Sequence, residues 1–198
     1  MANKKLRVLT EGAILIALAE MLSLLPLFKF PWGGSVDLGM LPIIIFCVRH
    51  GFGPGMLATT AHGILQALLS SSGGFVGWQS FLGDYLVAYM AMGLGGLFRD
   101  RIANKGTALM CGSLVALGAR FATHILSGYL LFSGWAEWYF TQEGFPAWGG
   151  ALVNAVGPVA LGWIYSAVYN GMYMVPEMIF TAVAAVLIAK VPHIVEKV

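Results

Sequence analysis

Six ionisable side chains fall inside apolar stretches of the chain, Glu20, His62, Asp84, Arg120, His124 and Glu177, and Asp37 stands at the edge of another. A charge at mid-bilayer costs on the order of several kcal/mol, so each of these marks a ligand, ion or proton site unless it finds a partner. The four carboxylates Glu20, Asp37, Asp84 and Glu177 face one arginine. If they stay ionised, some need a cation that the chain does not supply, and a cationic ligand is one source. The alternative is that Asp84 pairs with Arg120 and burial neutralises the remaining acids. Glu20, His62 and Glu177 read as structural, with Glu177 beside Pro176 placed to accept from backbone donors freed by a helix break.

Enzymatic signatures are missing from the sequence. It has no G-x-x-x-x-G-K-[ST] loop, G-x-S-x-G elbow, H-E-x-x-H or C-x-x-C, so the usual P-loop, hydrolase and zinc routes have no motif to start from. An intramembrane hydrolase built on His124 with Ser127 or Ser166 is the distant alternative. The clusters Gly51-Phe52-Gly53-Pro54-Gly55 and Gly93-Leu94-Gly95-Gly96 sit in or beside apolar runs, where small residues let helices approach rather than cradle phosphate. Cys47 and Cys111 share no metal-like spacing and read as packing residues.

The elements that carry these groups belong to a membrane. Of 198 residues, 59% are hydrophobic and 10% charged, against about 25% charged in a soluble domain. Net charge is +2, which offers no footprint for nucleic acid. Charge gaps place spans at about 8–28, 37–49, 52–71, 79–98, 107–132 and 164–189. The fold class is therefore an all-α integral membrane protein of six transmembrane helices, with residues 1–198 forming one domain and 134–163 a long outer loop. Lys4-Lys5-Leu6-Arg7 opens a first span that is retained, since the apolar run after it exceeds a signal-peptide core and further spans follow. The second span is short: its 11 residues between Asp37 and Arg49 rise only about 16 Å. The segment Pro31-Trp32-Gly33-Gly34-Ser35 must then dip into the membrane, where irregular backbone needs protein or a wet cavity around it, or the helix must end early.

Nine Lys and Arg residues fall on one side of these spans and only Lys29 on the other, so both termini are expected in the cytoplasm. The outer side carries Trp32, Trp78, Trp135, Trp138, Tyr139 and Trp148, which also suit an interfacial belt. Asp84 and Tyr85 then lie about a turn and a half below the outer surface. His124 lies in the outer half of the fifth span, and Tyr165 and Asn170 in the first turns of the sixth. A carboxylate, a histidine, an amide and phenols under a Trp-bearing loop suit a flat, cationic, hydrogen-bonding molecule, because aromatic faces attract cations and the carboxylate complements the charge.

Several stretches carry a family resemblance from about Leu9 to Lys190: Leu9-Thr10-Glu11 leading into Ala13-x-x-x-Ala17, Val36-Asp37 through Leu41-Pro42, Phe81-Leu82-Gly83-Asp84-Tyr85-Leu86-Val87-Ala88, Arg120-x-x-x-His124 with Gly128, and Tyr165-Ser166-x-x-x-Asn170-Gly171. The chain resembles the thiamine-specific substrate-binding membrane subunits (S components) of energy-coupling factor (ECF) vitamin transporters. The resemblance implies a six-helix fold that binds thiamine from outside. It also implies delivery inward with a transmembrane coupling protein and two ATPase subunits that use ATP, at the bacterial cell membrane and with no cofactor of its own. It makes Asp84, Tyr85, His124, Tyr165, Asn170 and Asp37 substrate-binding residues, joined by the aromatics Trp32, Phe132 and Trp135. Asp stands at both acidic positions where the family has Glu, one methylene shorter. Ala13 and Ala17, one turn apart, are implied to dock the coupling protein. The same architecture tuned to another vitamin or a thiamine precursor remains open.

Overall fold

The computed structural model describes residues 3–30, 33–69, 76–191 and 194. Helix α1 (Lys4–Ser23) starts on Asn3, whose side chain accepts the Lys5 amide, and stops short of Pro26. Proline lacks an amide donor and disfavours helical backbone before it. The first apolar run was expected to continue as helix to residue 28, but its end is a strand: β1 (Phe28–Lys29) pairs antiparallel with β2 (Ser35–Val36), in register Phe28↔Val36 and Lys29↔Ser35. This ribbon spans the segment that was expected to dip into the membrane. Gly33 and Gly34 turn it with φ of 103° and 84°, a region that favours glycine. Trp32 lies outside the described residues.

Helix α2 (Met40–His50) has the expected shortness, and every residue in it except Arg49 is buried. A helix apolar on all sides belongs at a core. It is enclosed by α1, by α3 (Phe52–Leu69), and by three long rods, α4 (Gly77–Phe98), α5 (Lys105–Phe132) and α8 (Pro158–Ile188). The three rods are long and apolar enough to cross a membrane, α5 running on through residue 141. Leu6, Leu9, Met21, Leu57, Leu68, Leu130, Ile179 and Val183 are exposed on helix surfaces. So much exposed apolar side chain fits lipid rather than water as the surrounding solvent. The chain is an all-α, largely membrane-embedded protein with one short ribbon.

The stretch 134–163 is mostly helical. It carries α6 (Ala136–Thr141), α7 (Trp148–Ala155) and the opening turns of α8, which begins at Pro158 after Gly157. Proline suits the first helical position, where its missing donor costs nothing. Tyr139, Phe140 and Tyr165 form the buried centre of this second cluster, with Phe145, Leu152 and Tyr169 against it. Because α8 starts earlier than expected, Tyr165 and Asn170 sit about 10 Å and 18 Å along it rather than in its first turns.

Candidate ligand-binding site

The midsection of α4 positions the first functional group. Phe81–Val87 is a π-helical stretch carrying Asp84 and Tyr85, and such insertions cluster at functional sites because they re-aim side chains. Here α4 approaches α5 closely: a Cβ on Gly83 would lie 2.9 Å from Ser127 Cβ. That approach lets Ser127 Oγ donate to Asp84 Oδ1. Ser80 Oγ donates to Asp84 Oδ2 at 2.8 Å, and His124 Nδ1 stands 3.3 Å from Oδ1.

The expected alternative of an Asp84–Arg120 pair is overturned. Arg120 Nη1 lies 3.3 Å from both oxygens of Glu177, and Nη2 donates to the Tyr89 hydroxyl at 3.2 Å. Arg120 and Glu177 are buried. Such a pair persists only when its charges and hydrogen bonds are mutually satisfied. Glu177 therefore does not serve the backbone beside Pro176. Glu20 is equally committed, 2.7 Å from His62 Nδ1 and accepting from Gln66 Nε2 at 2.9 Å. Asp37 accepts the Gly39 amide at 2.8 Å at the entry to α2, with the Ser23 and Ser35 hydroxyls at 3.4 and 3.5 Å.

These groups meet in one cavity of about 740 Å³, within the size range of small-molecule sites. Asp37, Asp84, Tyr85, His124, Phe132, Trp135, Tyr165 and Asn170 all line it, so every described candidate for substrate binding converges there. Asn170 is the least available, because its Nδ2 donates to the His124 and Ser166 carbonyls and its Oδ1 accepts from Tyr173 at 2.6 Å. The wall also holds Trp138, Tyr139, Tyr169 and Tyr173, which sequence reasoning did not place in the site. Their signal was present: Tyr165, Tyr169 and Tyr173 recur every four residues, one face of a helix. Tyr139 meets Tyr165 and Tyr169 edge-on at 5.2 and 5.9 Å. The Gly33–Gly34 turn closes the wall, since a Cβ on either would collide with Tyr169 or Tyr173.

Three carboxylates, Asp37, Asp84 and Glu177, and the single guanidinium of Arg120 line the cavity, a formal charge of −2 with His124 neutral. Aromatic faces around a net negative cavity attract a cation. Among the described residues no group of three His, Cys, Asp or Glu could hold a metal ion. Among the described residues no hydrogen bond joins a serine hydroxyl to the His124 ring, the pairing that a hydrolase built on His124 needs. Ser127 Oγ donates to Asp84, with the His124 carbonyl 3.3 Å away, and Ser166 Oγ donates to the Ile125 carbonyl. Ala13 and Ala17 lie elsewhere, exposed on α1, while Gly12 and Ala19 turn inward.

The model of the family described as thiamine transporter protein (Thia_YuaJ) matches residues 9–155, the chain from α1 through α7. The thiamine transporter ThiT of Bacillus subtilis (strain 168) is 29% identical over 197 residues, covering 94% of this chain and 92% of that protein. The thiamine transporter ThiT of Lacticaseibacillus paracasei is 24% identical over 206 residues, with 97% and 92% covered. A solved structure of ThiT from Listeria monocytogenes superposes with a TM-score of 0.74 at 22% identity, covering 98% of this chain and 100% of that one. At that identity the likeness establishes the fold.

Proposed function

Because the chain belongs to the thiamine transporter protein family, we propose that it is the high-affinity thiamine-binding subunit of an ECF-type uptake system. It is a transport protein and not an enzyme. The observation that carries the substrate is the cavity, an aromatic wall of tyrosines and tryptophans around an unpaired-by-arginine carboxylate, Asp84. Thiamine brings a permanent thiazolium cation and an aminopyrimidine with donors and acceptors. The cation lies over ring faces within reach of Asp84, where desolvation raises a cation–π contact to about 2 kcal/mol or more. Asp37, Tyr85, His124, Tyr165, Asn170, Phe132, Trp135 and Trp32 complete the site. The loaded subunit passes thiamine inward with a transmembrane coupling protein and two ATPase subunits, docking through Ala13 and Ala17.

Tryptophan fluorescence tests the substrate directly, because Trp135 and Trp138 line the cavity and remain more than half exposed. Thiamine is expected to change the emission of the purified protein saturably and to be recovered intact. A response to a different vitamin or to a precursor lacking the thiazolium, with none to thiamine, would replace thiamine as substrate. Mass spectrometry of the molecule that copurifies from cells identifies it independently.

The same reading places six spans and both termini on the cytoplasmic side of the bacterial cell membrane, in a single domain. It is supported by the nine-to-one asymmetry of Lys and Arg, since cytoplasmic loops carry the excess. The helices α1 and α3 carry Glu11, Glu20, His62 and Gln66, and α2 has 11 residues, so these three cross only in company with the long rods. A cysteine at position 100 should need a membrane-permeant label, and one at 143 should react from outside. Labelling of position 100 from outside would reverse the orientation.

A further inference from the structure

Asp84 receives hydrogen bonds on both oxygens. Ser80 Oγ is on Oδ2, and Ser127 Oγ and His124 Nδ1 are on Oδ1. A carboxylate accepts and does not donate, so the His124 nitrogen that faces it carries the proton. In a neutral imidazole the lone pair then stands on the other nitrogen. His124 Nε2 is buried and has no hydrogen-bond partner among the described residues. The ring lies in the cavity wall, with Tyr173 edge-on at 6.5 Å. An acceptor buried without a donor carries a desolvation cost that a ligand donor would remove.

We propose that Ser80 and Ser127 are positioning residues which hold Asp84, and through it the Nδ1–H form of His124, so that His124 Nε2 accepts an amino N–H of the ligand. The inference rests on the thiamine reading, in which the donor is the exocyclic amine of the pyrimidine. Discrimination is then shared: Asp84 supplies the charge for the cation, and the hydroxyls make its partner histidine an acceptor rather than a donor. The close α4–α5 approach at Gly83 is what brings Ser127 within reach.

Two measurements on the full-length protein in detergent test this. The first needs no ligand: ¹⁵N-histidine NMR, with His124 assigned through His124→Gln, should show Nδ1–H in the wild type and a loss of that single form in the Ser80→Ala/Ser127→Ala double variant. The second compares thiamine with the analogue whose pyrimidine amine is replaced by a carbonyl oxygen. Wild type should favour the amine by about 100-fold or more, because a site built to accept N–H is left unpaired by the analogue. In the double variant that preference should fall at least tenfold, and Ser127→Thr should retain it. An Nε2–H form in the wild type overturns the inference whatever the ligand, as does an equal loss of affinity for both ligands. Should the double variant fail to fold, Ser80→Ala alone removes one hydroxyl and is read by the same two measurements. Wild-type protein that shows the Nδ1–H form but binds no thiamine overturns the substrate reading and the assignment of the donor, and leaves the positioning role of the serines standing.

Discussion

Replacing Asp84 by Asn is expected to weaken thiamine binding by about 30-fold to several thousand-fold while the protein still folds. Removing one partner of a buried charge pair costs about 2–5 kcal/mol, which converts to that range of affinity. The geometry favours a large effect. Arg120 is held by Glu177 and Tyr89, so among the described residues Asp84 is bonded by two serine hydroxyls and an imidazole and is paired with no lysine or arginine. Asn keeps one acceptor for those donors and removes the charge. Titration of the purified variant should therefore show a much smaller loss for a neutral isosteric analogue than for thiamine, with thermal unfolding close to wild type. Near wild-type affinity for thiamine would move the charge complement to Asp37, the cavity carboxylate that is not paired with Arg120.

Which ionisable residues the fold encloses was legible in the sequence, because a charge inside an apolar run announces itself. Asp84 and His124 were found this way, and the structure brings them to 3.3 Å. Their partners were not legible. Arg120 and Glu177 are 57 positions apart, and with four carboxylates in view nothing in the sequence ranked Glu177 above Asp84 for the one guanidinium. Helix ends were legible only where a breaker stood in the expected place. Charge gaps found every major helix, yet the first apolar run turns into a ribbon beyond Pro26 and the last helix starts at Pro158, six residues before the expected span. Trp138 and Tyr139 were missed for a different reason: aromatics near a membrane surface have an interfacial reading that hides a wall facing inward. The π-helical stretch at Asp84 was not legible because the phase shift it introduces falls in a run that is apolar at nearly every position, where no period stands out.

The second large effect is expected far from the cavity, on α1. Changing Ala13 and Ala17 together to Trp should abolish assembly with the coupling protein and thiamine uptake in cells, yet leave the thiamine affinity of the isolated subunit nearly unchanged. Both alanines are exposed and Leu9, a turn before Ala13, is 70% exposed, so two indoles add bulk to a surface and not to the core. Small residues at four-residue spacing let a second helix approach closely, which matters where lipid removes the hydrophobic drive for association. The α1 residue that lines the cavity is Ser23, six and ten positions beyond the alanines, or about 9 and 15 Å along the axis. Between them stands Glu20, tied to His62 and Gln66, which holds the upper part of α1 to α3 independently of the exposed face. Co-purification with the coupling protein and ligand titration of the subunit alone separate the two functions. Loss of both together would make the alanine face part of what holds the cavity in shape, and the docking surface would then have to be sought on another helix.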